Sequence, residues 1–146
     1  MQAFPHHYKV AAKATIDSNI DLISDKVATI TSAPPEEFGG PGDYWSPETL
    51  LVASVADCFV LTFRAIARAS KLSWSSINCH VDGVLEKNDG TTKFTQIIVS
   101  VTLEVSAVAD EDKAQLILLK SEANCLITNS LSAETQLITT IAAANK

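Results

Sequence analysis

The sequence predicts an α+β fold: an antiparallel sheet carrying one long buried central helix and a second, shorter helix. Three patterns lead there. Several short segments alternate apolar and polar residues with the period of a half-buried strand. One run, Leu50 to Ala69, is apolar on nearly every helical face. The order along the chain is strands, long helix, two strands, helix, strand, which is an α+β order rather than the regular βαβ alternation of a parallel sheet.

The first third alternates. Val10, Ala12, Ala14 and Ile16 share one face, with Ala11, Lys13 and Thr15 on the other. Asp17-Ser18-Asn19 is a turn signal, Ile20-Asp21-Leu22-Ile23 starts a return strand, and Ser24-Asp25 precedes a third segment from Lys26 to Thr31. Residues 8–31 therefore read as a small antiparallel meander. Breakers dominate residues 33–47, including Gly39, Gly40 and Gly42. Their spacing fits neither a P-loop nor a dinucleotide fingerprint, so the glycines read as turn residues that tolerate positive φ.

Ser46-Pro47-Glu48 then opens the long helix: Ser is a good N-cap, Pro suits the first helical position, and Glu suits the positive end of the helix dipole. The helix ends near Ser70-Lys71. A helix apolar on all sides must be enclosed, and one sheet covers only one side, so dimerisation is the economical way to cover the other. Ile77, Cys79 and Val81 alternate with Asn78, His80 and Asp82, and a clear alternation runs from Phe94 to Val105. Asn88-Asp89-Gly90 between them is a hairpin signal. A second helix starts at Asp110-Glu111-Asp112, shows Leu116, Leu119 and Ala123 at helical spacing, and ends near Asn124-Cys125. Gln136 to Ala142 makes a short last strand.

Composition bounds the rest. The chain has 146 residues, 47% of them hydrophobic and 19% charged, which suits a single domain over 1–146 with one core. Its net charge of −6 and lack of Lys/Arg clusters argue against nucleic acid and give no attraction to anionic membranes. The N-terminus lacks the basic and apolar regions of a secretory signal. Asp57, Arg64 and Arg68 interrupt the apolar run, and ionised groups are costly at bilayer depth, so it reads as a helix of a soluble protein. Three cysteines without a leader imply reduced thiols and a cytoplasmic location.

Those cysteines are the candidates for chemistry. Cys58 lies mid-helix among Val55, Phe59, Leu61 and Thr62, and most such cysteines are inert small hydrophobes. Cys79, inward on a strand with no polar neighbour, reads as inert. Cys125 follows the second helix, where the chain must turn. His6, His7 and His80 lack partners at metal spacing, and no Cys-x-x-Cys or His-x-x-x-His pattern exists, so neither a metal nor a cofactor is expected.

The stretch from Phe38-Gly39-Gly40-Pro41-Gly42 through Ser46-Pro47-Glu48 to Ala56-Asp57-Cys58-Phe59 resembles the central motif of the OsmC/Ohr family. There a Gly-rich loop leads into Ser/Asn-Pro-Glu, and a reactive Cys-Phe follows ten residues after the Glu. Cys125-Leu126-Ile127-Thr128-Asn129-Ser130-Leu131 resembles the family's second motif, and the 67-residue separation of Cys58 and Cys125 is of the family's order. The resemblance covers essentially the whole chain. It implies an OsmC-like fold in an intertwined homodimer with active sites at the interface. It also implies cysteine-based reduction of peroxides, organic hydroperoxides above all. Cys58 would attack the O–O bond, Cys125 would resolve the resulting sulfenic acid as a disulfide, and a dithiol (lipoyl-linked in the Ohr branch) would reset the pair.

Ten helical residues rise about 15 Å, so Glu48 cannot touch Cys58 of its own chain. If Glu48 belongs to the site it comes from the partner subunit; otherwise it is a helix-start carboxylate. The chain departs from the family in one respect. The family's activating arginine is absent, since no arginine precedes Arg64. Lys13 lies roughly where the Ohr arginine falls and Glu37 near the OsmC one, and a lysine lacks the two-pronged grip of arginine. Arg64 is about 240° round the helix from Cys58, and Asp57 would raise a neighbouring thiol's pKa unless it points away. The competing expectation is a non-catalytic dimer that binds a small apolar or lipid-like ligand.

Overall fold

A computed structural model describes residues 1–144. They fall into two compact units, the first ending at Leu51 and the second beginning at Val52. In the first, strands β1 (Ala11–Lys13), β2 (Ile20–Ile23) and β3 (Ile30–Ser32) form an antiparallel sheet in that order. This is the expected meander, with shorter strands than the alternation suggested. Val10 and Ile16 lie outside β1 and are exposed, so the alternating face there covers nothing within the unit. The Thr31 hydroxyl donates to the Asp21 carboxylate at 3.1 Å across the β2–β3 pair.

The breaker-rich loop is tightly folded. A 3-10 turn at Glu36–Phe38 ends on Gly39 at φ 83°, and Gly42 has φ 81°. Gly40 has a different reason to lack a side chain: a Cβ there would run into the Pro34 carbonyl. The loop closes with a parallel bridge between Ser32 and Trp45 and then enters helix α1 (Pro47–Ala69). Ser46 caps that helix. Its hydroxyl accepts the Thr49 N–H at 3.1 Å, while the Thr49 hydroxyl accepts the Ser46 N–H at 2.9 Å, a reciprocal box that satisfies two groups otherwise left orphaned.

The second unit holds the rest of α1, strands β4 (Trp74–Asn88) and β5 (Thr91–Val105), helices α2 (Glu111–Ala123) and α3 (Leu126–Asn129), and strand β6 (Glu134–Ala143). β4 and β5 form a long hairpin whose turn residues Asp89 (φ 50°) and Gly90 (φ 79°) both take the left-handed conformation that such a two-residue turn requires. The expected α+β fold is present, with one addition to its antiparallel sheet: the described residues form two three-stranded sheets, and β6 runs parallel to β5, because the chain crosses over through α2 and α3 before it returns.

Ile97, Val99, Val101, Leu103 and Val105 share one face of β5 and are at most 2% exposed. With Val55, Phe59, Phe63 and Ala67 of α1, and Ala114, Ile117 and Leu118 of α2, they build one core. The sheet face is thus covered by both helices. Phe63 meets Trp74 edge to face, with ring centroids 5.2 Å apart.

The residues at helical spacing in α2 do not form its inner face. Leu116 and Leu119 are 61% and 47% exposed, and Ala123 is exposed too. The helix instead turns Ala114, Ile117, Leu118 and Ser121 inward. Two small residues on that stripe let the helix approach the sheet, and the buried Ser121 hydroxyl is satisfied by the Ile117 carbonyl at 2.7 Å. Leucine spacing alone could not distinguish the two stripes.

α1 is long and apolar enough, by length and composition, to cross a membrane. Within this chain it buries a single stripe, and Leu61 on its outer side is 53% exposed.

Candidate functional site

Each candidate thiol occupies a distinct setting. Val55, Phe59 and Phe63 define the buried stripe of α1, and at about 100° per residue Cys58 falls on the flank of that stripe. It is half-buried, and its Sγ lies 3.9 Å from the Thr62 hydroxyl, one turn further along. Asp57 and Arg64 are both exposed, and each is a third of a turn or so from Cys58 around the helix. The neighbouring carboxylate therefore points away, as a usable thiol requires, and the nearest arginine in sequence faces elsewhere.

Cys125 is 1% exposed and stands immediately before α3. Its backbone is pinned on both sides. Its N–H donates to the Glu122 carbonyl at 3.3 Å, and its own carbonyl accepts the Asn129 N–H at 3.0 Å and the Thr128 hydroxyl at 3.1 Å. The sulfur is thereby held inside the second unit.

Cys79, read from the sequence as an inert strand thiol, lies in the second unit. It sits on β4 between Ile77 and Val81, on the core-facing side, opposite Val101 of β5. Burial, and after it the Cys125 sulfur, pushes the Cys79 thiol from 9.0 up to about 11.

Glu48 belongs to the first unit, in the opening turn of α1. One of its carboxylate oxygens is buried with no hydrogen-bond partner. The residue borders a cavity of about 370 Å³ whose other walls include Ile20, Ala33, Pro35, Phe38 and Pro47. A buried, uncompensated carboxylate oxygen costs free energy unless a donor or cation reaches it, so this position invites a partner from outside the unit. Lys13 lies on exposed β1 and Glu37 in the exposed 3-10 turn. Among the described residues no group of three or more His, Cys, Asp or Glu could hold a metal ion.

The family model described as OsmC-like protein matches residues 40–140, a span containing Glu48 and all three cysteines. The chain is 24% identical over 136 residues to YmaD of Bacillus subtilis strain 168, an uncharacterized protein; the match spans 90% of this chain and 91% of that one. An OsmC-like protein of unknown function from Vibrio cholerae superimposes with a TM-score of 0.82 at 19% identity, covering 94% of this chain and 99% of that one. An organic hydroperoxide resistance protein from Elizabethkingia anophelis gives a TM-score of 0.71 at 18% identity, over 98% and 100% of the two chains. Similarity to solved structures at such identities concerns the fold alone.

Proposed function

Because the chain belongs to the OsmC-like family, which includes organic hydroperoxide resistance proteins, we propose that it reduces organic hydroperoxides with Cys58 as the attacking thiol. The observation that carries this reading is the setting of Cys58. It is half-buried on the flank of α1, open to a small substrate, with a polar hydroxyl one turn away and its carboxylate neighbour turned outward.

The chemistry runs as follows. The Cys58 thiolate attacks the outer peroxide oxygen; the O–O bond breaks, an alcohol leaves, and the sulfur becomes a sulfenic acid. Cys125 attacks that sulfur, expelling water and forming a disulfide. An external dithiol, of the lipoyl type or another, restores both thiols by exchange. The protein acts as a homodimer in which Glu48 of one subunit serves Cys58 of the other; the unpartnered carboxylate oxygen supports this, since it needs a donor from beyond its own unit.

A second reading has its own support. The cavity beside Glu48 has mostly apolar walls, and no arginine stands near Cys58 in sequence before Arg64, which favours a dimer that binds a small apolar ligand without turning it over. One assay separates the two. Purified protein is mixed with t-butyl or cumene hydroperoxide and a dithiol, beside Cys58→Ser. The peroxidase reading expects turnover that Cys58→Ser abolishes and Glu48→Gln lowers at least tenfold. Absence of turnover in the wild type, with Cys58 unreactive towards thiol reagents at neutral pH, would leave the binding reading.

A further inference from the structure

The cavity beside Glu48 is walled entirely by the first unit, by residues between Ser18 and Glu48. Its volume of about 370 Å³ lies at the small end of the range of ligand pockets. Ser32 and Ala33, 4% and 3% exposed, are buried in its wall, while Phe38, 60% exposed, is open to solvent. The walls are held in shape by the backbone. The Pro35 carbonyl accepts the N–H groups of Phe38 at 3.0 Å and of Gly40 at 2.9 Å, and the Ala33 N–H donates to the Trp45 carbonyl at 2.9 Å. A site that is already formed loses little to ordering when a ligand enters.

The chemistry of this cavity is one-sided. Ile20, Ala33, Phe38 and three prolines are apolar, and among the described residues that line it Glu48 alone is ionisable. One oxygen of that carboxylate is sealed from water without a hydrogen-bond partner. The start of α1 does not satisfy it. Pro47 has no N–H, the Thr49 N–H goes to the Ser46 hydroxyl at 3.1 Å, and the Leu50 N–H goes to the Ser46 carbonyl at 2.9 Å. The unit brings no cation to the cavity either. Up to Leu51 the chain has seven acidic residues against three lysines and no arginine, and no lysine or histidine lines the cavity. The field there is negative, which repels an organic acid and attracts a cation.

We propose that this cavity binds a small organic amine, an ammonium group on an aryl or short alkyl body. The ammonium seats against Glu48. A carboxylate shares its charge between both oxygens, so a cation on the cavity side also offsets the sealed one. The body lies along Ile20, Ala33 and Pro35, and a ring there stacks on Phe38 and the flat faces of the prolines. This ligand class rests on the binding reading of the same cavity and gives it a definite chemistry. Where Glu48 also serves Cys58 of the other subunit, a bound amine competes with that role and inhibits hydroperoxide turnover.

The test uses the full chain with its thiols reduced and no peroxide present, so turnover plays no part in the readout. Three probes of similar skeleton differ in charge: 2-phenylethylamine, 2-phenylethanol and 3-phenylpropionate, titrated at pH 7 by calorimetry. The amine should bind at least tenfold tighter than the alcohol, with the acid weakest. Glu48→Gln keeps the shape and removes the charge. It should cut the amine's advantage to less than threefold while the alcohol's affinity changes less than twofold. In two-dimensional NMR of the wild type the amine should shift the methyl signals of Ile20 and Ala33 and leave those of Leu61 in place, which locates the site even if Glu48→Gln does not fold. Alcohol or acid binding as tightly as the amine would overturn the cation site and leave the apolar-ligand reading standing. Shifts at Leu61 in place of Ile20 and Ala33, or an amine preference that Glu48→Gln does not weaken, would overturn it as well. No binding of any probe at millimolar concentration would remove both the amine site and the binding reading, and would leave the peroxidase reading to its own assay.

Discussion

Replacing Gly83 by alanine tests how α1 is seated on its sheet. Gly83 lies on β4, paired with Ile97 of β5, on the strand face that carries Cys79 and Val81. A Cβ at this position would stand 2.8 Å from Val52 Cγ2 and 2.8 Å from Phe94 Cε1, closer than carbon atoms pack. Overpacking of this kind costs about 1–3 kcal/mol. Against it stands the ordinary gain from replacing a strand glycine, about 0.5–1 kcal/mol. The net loss therefore centres on roughly 1 kcal/mol and reaches at most about 2.5 kcal/mol. With an unfolding entropy of about 2.1 cal/mol/K per residue, a chain of this length loses roughly 3 °C per kcal/mol, so Tm should fall by about 4 °C and by no more than about 8 °C. The assay is thermal unfolding followed by circular dichroism on the reduced protein. Val52→Ala removes one of the two obstructing atoms. The double variant should thus be less destabilised than the sum of the singles, with a coupling of at least about 0.5 kcal/mol. A rise in Tm for Gly83→Ala, as at an uncrowded strand position, or strict additivity with Val52→Ala, would refute the close approach of Val52 to β4.

Ser46→Ala removes the hydroxyl that caps α1 and breaks its exchange with Thr49; it should cost about 1–2 kcal/mol in chemical denaturation, and Ser46→Asp should recover most of the loss. Phe63→Ala, at a fully buried position in edge contact with Trp74, should cost about 3–5 kcal/mol and shift the Trp fluorescence; a loss below about 1 kcal/mol would contradict its place in the core. For Cys79 the pH dependence has a definite sign. With the folded-state thiol near 11 and the unfolded one near 9.0, both are protonated below pH 9 and the contribution to stability is fully present there. As pH rises from 9 towards 11 the unfolded chain ionises first, so stability falls across that window, and Cys79→Ala should flatten the fall. Over pH 7 to 10 the alkylation rate of native Cys79 should rise about tenfold per unit without reaching a plateau.

The chain itself determined the secondary structure and the place of Cys58 within its long helix. Caps, turns and periodicity are local, so Ser46-Pro47 at the start of α1, the Asp89-Gly90 turn and the alternating core face of β5 were all legible before any fold was known. The motif around Glu48 and Cys58 could likewise be read in order, because one helix carries both. Tertiary structure decided what local patterns cannot encode. The parallel seating of β6 depends on a crossover, and the choice of inward stripe on α2 depends on which side chains are small enough to lie against the sheet. The unpartnered oxygen of Glu48 depends on how the first unit folds around it. Burial, too, is a property of the packed chain, and it is what raises the Cys79 thiol to about 11.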